Sequence, residues 1–132
     1  MIVVDAGVLV TALADDGPDG DLCRSRLTGQ ALAAPHLIDL EVGSALRRLV
    51  RSGGVPERRA RLALADLADL PLERAPSVPL LPRCWELREN VTFYDAAYVA
   101  LAELLDVPLL TADERLARAS GPRCTIDVLT AG

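Results

Sequence analysis

A chain of 132 residues, 51% of them hydrophobic, is long enough to bury one sizeable core and is read as one domain. Its 14 basic residues are all Arg against 19 acids, a net charge of −5; the absence of Lys excludes a P-loop and other Lys-dependent phosphotransfer sites, and the acidic balance argues against broad, non-specific nucleic-acid binding. Cys23, Cys84 and Cys124 are odd in number and lack CxxC spacing, which argues against a disulfide framework or a zinc site and for free thiols in a reducing compartment.

Met1 to Val4 is an apolar, β-branched run that stops at Asp5, the pattern of a central parallel strand ending in a carboxylate. Open α/β sheets bind ligands outside such strand ends, yet an Asp here also serves as the cap of the next helix, and this stretch alone does not choose. Asp5 also interrupts the only N-terminal apolar run and no basic segment precedes it, so neither a signal peptide nor a membrane span is expected, and the cytoplasm is the expected location. A first helix follows to Ala14, then the turn Asp15-Asp16-Gly17-Pro18, then a short helix from Asp19 to Gly29. Ala31 to Ala34 is a poor strand by propensity and is assigned from context.

From Leu37 the apolar positions Ile38, Val42, Ala45, Leu46, Leu49 and Val50 mark an amphipathic helix ending at Gly53-Gly54. At about 100° per residue, Asp39 and Glu41 fall on opposite borders of its apolar stripe, so periodicity cannot say which faces a site. Arg47, Arg48 and Arg51 lie on the far side, and Arg58, Arg59 and Arg61 open the following helix, Pro56 to Leu70. Such a cluster is ordinarily a solvated face; it is also the one concentrated basic surface the sequence offers to phosphates. Leu72 to Ala75, between Pro71 and Pro76, is an edge strand. Pro82 to Asn90 is a helix with Trp85 as its expected core anchor.

Thr92 to Leu116 organises the rest. Ala96 to Leu105 is apolar almost all round, with Glu103 its only charge, and so predicts a largely buried helix ended by Asp106-Val107-Pro108. Leu109-Leu110-Thr111 is a short buried strand. Thr92-x-x-Asp95 and Thr111-x-x-Glu114 both have the form of capping boxes, which explains Glu114 fully, Asp95 in part, and leaves Asp113 with no capping task. A helix from Glu114 to Ser120, a break at Gly121-Pro122 and a strand from Thr125 to Leu129 complete a β-α-β alternation: a three-layer α/β sandwich on a central parallel sheet.

Asp5 and Asp113 both follow strands of that sheet and Asp95 opens the helix between, so the three can meet at one edge. Crowded carboxylates persist when a hard divalent cation takes them, and oxygen-only donors point to Mg²⁺ or Mn²⁺. His36, the lone histidine, supports no imidazole acid–base scheme.

VDAGVLVTAL, APHLIDLEVGSALRR and FYDAAYVALAELLDVPLLTADERLARA, in this order, resemble blocks of the PIN-domain ribonucleases, and more narrowly of the VapC toxins of bacterial toxin–antitoxin pairs. The resemblance spans nearly the whole chain. It implies a PIN-like fold and a Mg²⁺-dependent endoribonuclease whose four acids fall on Asp5, Glu41, Asp95 and Asp113, favouring Glu41 over Asp39. Asp5, Asp95 and Asp113 would hold the metal, Glu41 would complete the site, and Thr111 matches a small hydroxyl residue found beside it. Gly7 departs from the Ser or Thr frequent there. In-line attack by water would leave a 5′-phosphate and a 3′-hydroxyl on a structured RNA such as tRNA or rRNA, with Arg47, Arg48 and Arg51 as candidate phosphate contacts. The resemblance further implies a cognate antitoxin that places a cation among the carboxylates, and a homodimer formed through the helices before Leu70. A PIN-like protein-interaction module without nuclease activity is the alternative. A phosphatase using a nucleophilic Asp is disfavoured by Gly7, which stands where a second Asp is wanted.

Overall fold

The computed structural model describes residues 1–129. Five parallel strands, β1 (Ile2–Val4), β2 (Leu32–Pro35), β3 (Leu72–Ala75), β4 (Leu109–Thr111) and β5 (Ile126–Val128), form one sheet in the order β3-β2-β1-β4-β5. β1 is therefore central and β3 an edge, as the sequence indicates. The chain runs outward from β1 to β2 and β3, then crosses back to β4 on the other side of β1. The carboxyl ends of β1 and β4 thus flank the point where strand order reverses, the usual binding crevice of an open parallel sheet.

Helix α1 (Ala6–Ala14) packs against α2 (Pro18–Leu27), α3 (Ile38–Arg51) and α4 (Glu57–Asp69), and these make one helical layer. α5 (Leu81–Glu86, entered by a 3₁₀ turn over Val78–Leu80) packs on α6 (Phe93–Leu105), and α6 lies against β1, β2 and β4. α7 (Glu114–Arg118) packs beside β5. Every residue of α6 from Ala96 to Ala102 is buried, which is why its sequence shows almost no polar face. That helix ends through Asp106, held in the left-handed region at φ 54°, before Pro108 begins the turn into β4.

The α1–α2 corner depends on a glycine. A Cβ on Gly20 would run into the Asp15 carbonyl, and Arg24 fills the remaining space by donating to the carbonyls of Ala12 and Asp15, both at 2.8 Å. α5 is pinned from behind by Arg83, whose guanidinium donates to Glu103 on α6 (2.7 and 3.2 Å) and to the Gly121 carbonyl (2.9 Å).

Two local expectations are corrected here. Trp85 does not anchor α5: it is 61% exposed, and Leu80, Cys84 and Leu87 fill the core instead. The helix is only six residues long, too short for composition to say which of two adjacent side chains turns inward. The Arg cluster is also less free than its sequence implies, since Arg59 pairs with Asp16 (3.0 Å) and Arg61 with Glu57. No helix among the described residues is long and apolar enough to cross a membrane.

Candidate active site

Asp5 continues the pairing of β1, its N–H donating to the Leu110 carbonyl at 3.1 Å, and then opens α1. Its side chain does two jobs. Oδ1 accepts the N–H of Val8 (2.9 Å) as the α1 cap, and Oδ2 accepts the hydroxyl of Thr111 at the end of β4. The cap and the site are therefore the same residue, and the two readings of Asp5 do not compete. Thr111 is fully buried, and its hydroxyl oxygen in turn accepts the N–H of Asp113 at 3.0 Å. One hydroxyl thus ties the acid after β1 to the segment carrying the acid after β4.

Asp113 has a capping task after all. It is the N-cap of α7, accepting the N–H of Arg115 at 2.9 Å, so the cap falls on Asp113 rather than on the Thr111–Glu114 pair. In place of the expected box, the Thr111 hydroxyl donates to Asp5 and accepts the N–H of Asp113 rather than that of Glu114. At α6 the expectation holds in its first half: Thr92 caps the helix by accepting the N–H of Asp95 at 3.1 Å.

The two acids on α3 separate cleanly. Asp39 makes a bidentate pair with Arg74 of β3 (2.7 and 2.9 Å), a structural link between the helix and the sheet edge. Glu41 accepts the hydroxyl of Tyr98 on α6 at 2.6 Å, three residues after Asp95 on the same helix. Tyr98 is 2% exposed, and burial together with its bond to Glu41 pushes its phenol far above the ordinary value of 10.0. Sequence reasoning passed over Tyr98, although a Tyr inside an otherwise apolar buried helix needs a polar partner.

Electrostatics link the acids in series. Burial raises the Asp5 carboxyl above its ordinary 3.8; the bonds from Thr111 and Val8 pull it back, and the charges of Asp95 and Glu41 add to the rise. Asp95 is also raised, first by burial, with Thr92 opposing and Asp113 reinforcing, while Arg115 draws it down. Asp95 and Asp113 share an open cleft of about 490 Å³ whose rim carries Arg88, Thr92 and Arg115. Asp5 and Glu41 do not line that cleft, and Arg47 and Arg51 line a separate groove between α3 and α4, with Leu46, Ala60 and Leu64.

No three His, Cys, Asp or Glu side chains among the described residues stand close enough to form a ready metal cage. Mg²⁺ keeps several of its waters, so an ion held in part through them would not require such a cage. The donors are all carboxylate oxygens, partly desolvated and mutually repelling, so the set fits a hard divalent ion.

A parallel α/β/α sandwich carrying a series of interacting carboxylates at its strand-order switch point belongs to the class of acid-site α/β domains. A family model described as "PIN domain" matches residues 2–122. Ribonuclease VapC1 of Mycobacterium tuberculosis is 52% identical over 128 residues, covering 96% of each chain. The structure of PAE2754 from Pyrobaculum aerophilum superposes with a TM-score of 0.71 at 29% identity, covering 96% of this chain and 83% of that one. VapBC2 from Rickettsia felis, bound to a DNA fragment from the promoter, gives 0.69 at 15% identity over 97% and 98%, a likeness of fold. The chain belongs to the PIN-domain family, among the VapC ribonucleases.

Proposed function

We propose that this chain is a Mg²⁺-dependent endoribonuclease, the toxin of a toxin–antitoxin pair, with Asp5, Glu41, Asp95 and Asp113 as its working acids. The observation that carries this reading is the Asp5–Thr111–Asp113 linkage: a fully buried hydroxyl spent on holding two strand-end segments in register beside Asp95. A domain kept only for protein contacts has no use for mutually repelling, partly desolvated carboxylates, which cost stability. That argument disfavours the interaction-module alternative.

Asp5, Asp95 and Asp113 would hold the ion, directly or through its waters, and the ion when bound supplies Lewis acidity, making water a nucleophile near neutral pH and offsetting charge on the scissile phosphate. The protein's own share is positioning. Val8 and Thr111 fix both oxygens of Asp5. The backbone N–H of Arg115 fixes Asp113, and the Tyr98 hydroxyl fixes Glu41, which would orient the attacking water. The resulting cut leaves a 5′-phosphate and a 3′-hydroxyl. Because the cleft is small, the substrate is a structured RNA with an exposed single-stranded loop, in the tRNA or rRNA class. The partner is a small antitoxin bringing an Arg or Lys into the acid cleft, and the Rickettsia felis structure of VapBC2 supports such a pairing. A homodimer through α3 and α4 would cover the exposed Leu62 and Leu64. The three free thiols suit the reducing cytoplasm.

The test is incubation of the purified chain with total RNA, with and without Mg²⁺, beside Asp5→Asn. Metal-dependent cutting by the wild type and none by the variant is the expected result. Equal cutting by both, or cutting that persists in EDTA, would overturn the assignment. Co-expression with the neighbouring gene and a pull-down tests the partner.

A further inference from the structure

Trp85 is the only tryptophan of the chain, and the structure leaves it 61% exposed although its neighbours Cys84 and Leu87 are each buried to 1%. Its ring is not bare. The guanidinium carbon of Arg88 sits 4.3 Å from the ring centroid, and Arg88 Nη1 also donates to the Trp85 carbonyl at 2.8 Å. That same Arg88 lines the cleft shared by Asp95 and Asp113. The pair therefore spans from an open aromatic surface to the rim of the acid site. Among the described residues its one ion pair is with Glu89 at 3.7 Å, an exposed contact of little weight. Trp85 sits on a tied element: Arg83, two residues earlier on α5, binds Glu103 of α6 and the Gly121 carbonyl, and Arg88 follows in the turn after the helix. α6 is the helix that carries Asp95.

An anionic cleft repels the phosphates it must admit, so cations are needed at its rim. Arg88 and Arg115 are the two that line it. Unpaired bases bind by stacking on aromatic rings and guanidinium planes, whatever their sequence, because every base has a π face. An Arg held over a Trp offers both a stacking surface and a phosphate contact in one unit. We propose that Trp85 and Arg88 form a nucleotide subsite at the edge of the cleft, taking one unpaired base and its phosphate on one side of the bond to be cut. The inference rests on the nuclease reading and adds to it the place where single-stranded RNA is gripped.

The lone tryptophan reports on itself. The full chain is titrated with a short, mixed-sequence, single-stranded oligoribonucleotide in low-salt buffer containing EDTA, and Trp85 fluorescence is followed. A ribose-phosphate chain of the same length lacking bases is the control. Base-bearing RNA should quench the ring and the abasic chain should not. Trp85→Ala should weaken binding about tenfold, followed by anisotropy of a labelled oligomer, and Trp85→Phe should recover most of it. With Mg²⁺ and RNA, Trp85→Ala should raise KM by a similar factor and leave kcat near wild type. No quench, equal quench by the abasic chain, or unchanged binding by Trp85→Ala would overturn the subsite. So would a shift of Trp85→Ala in size-exclusion chromatography with RNA binding intact, which would make the ring a protein contact. A wild type that cuts RNA while Trp85→Ala cuts it with the same KM refutes the subsite alone. A wild type that never cuts refutes the nuclease reading, and the EDTA titration still decides the subsite.

Discussion

Asp113→Asn separates the two jobs of one carboxylate. As N-cap of α7, Asp113 accepts one backbone N–H, from Arg115 at 2.9 Å, and an Asn side-chain oxygen can accept the same bond. Asn and Asp cap about equally well, so the cap itself should lose about nothing. The charge is lost, and with it a helix-dipole term of about 0.3–1 kcal/mol. Against this, Asp113 is one of the charges that raises Asp95, so neutralising it relieves repulsion within the cluster. The two terms oppose, and metal-free stability should stay within about 1 kcal/mol of wild type. Asp113→Ala removes the cap as well and should cost about 1 kcal/mol more. RNA cleavage, by contrast, should fall by orders of magnitude in both variants if Asp113 holds the ion as proposed. Thermal melts by circular dichroism, with and without Mg²⁺, give the stability half. Saturating Mg²⁺ at about 100 times its Kd should stabilise the wild type by about 2.7 kcal/mol and Asp113→Asn by clearly less. A variant Asp113→Asn that cuts RNA at the wild-type rate would show that Asp113 is a cap and nothing more.

Other outcomes follow from single contacts. Tyr98→Phe deletes only the hydroxyl bound to Glu41; the loss should cost about 1–2 kcal/mol in chemical denaturation and lower kcat more than it raises KM. Asp39→Asn should weaken the link to Arg74 and lower the melting temperature while cleavage persists, whereas Glu41→Gln should do the reverse. Burial pushes Glu103 up, but the paired Arg83, the N–H of Arg123 and both nearby guanidinium charges outweigh it and hold the carboxyl below its ordinary 4.5. A depressed folded value means that this pairing stabilises above pH 4.5 and is lost as pH falls through the folded value. Glu103→Gln should therefore be about 2 kcal/mol less stable than wild type at neutral pH, with the gap closing in acid. Asp106→Gly relieves a left-handed backbone at an exposed helix end and should gain about 0.5–1 kcal/mol, read as a higher melting temperature with cleavage unaltered.

The parallel sheet with β1 at its centre was within reach of the sequence because Val3, Val4, β4 and the Ala96–Ala102 stretch of α6 are buried and leave no room for a polar alternation. Asp5 stood out for the same reason, as the residue where an apolar strand stops. What the sequence could not supply was anything decided by a partner distant in the chain. Asp39 and Glu41 occupy equivalent borders of one stripe, so periodicity left them open and the family resemblance alone favoured Glu41; Arg74 and Tyr98 are the contacts that set them apart. Residue spacing also misplaced the α7 cap, since the Thr111 hydroxyl was claimed by a carboxylate in another strand. Trp85 was misjudged because residue type argues for burial and a six-residue helix gives no periodicity to contradict it. The Arg residues of α4 read as a free basic face; Arg61 pairs with Glu57 at helical i,i+4 spacing, whereas Arg59 is committed to Asp16, which no sequence pattern places beside it.

The Asp5–Thr111 bond joins residues 106 apart in a chain synthesised from Asp5 onward. β1 is made first yet sits at the centre of the sheet, and its neighbour on the acid-bearing side is made after α6. A growing chain on the ribosome therefore carries Asp5 as a lone helix cap, without the hydroxyl that fixes its second oxygen and without Asp95 or Asp113 nearby. The linkage among Asp5, Thr111 and Asp113 is complete only once β4 has paired with β1. A chain stopped short of β4 lacks both the Thr111 hydroxyl and Asp113.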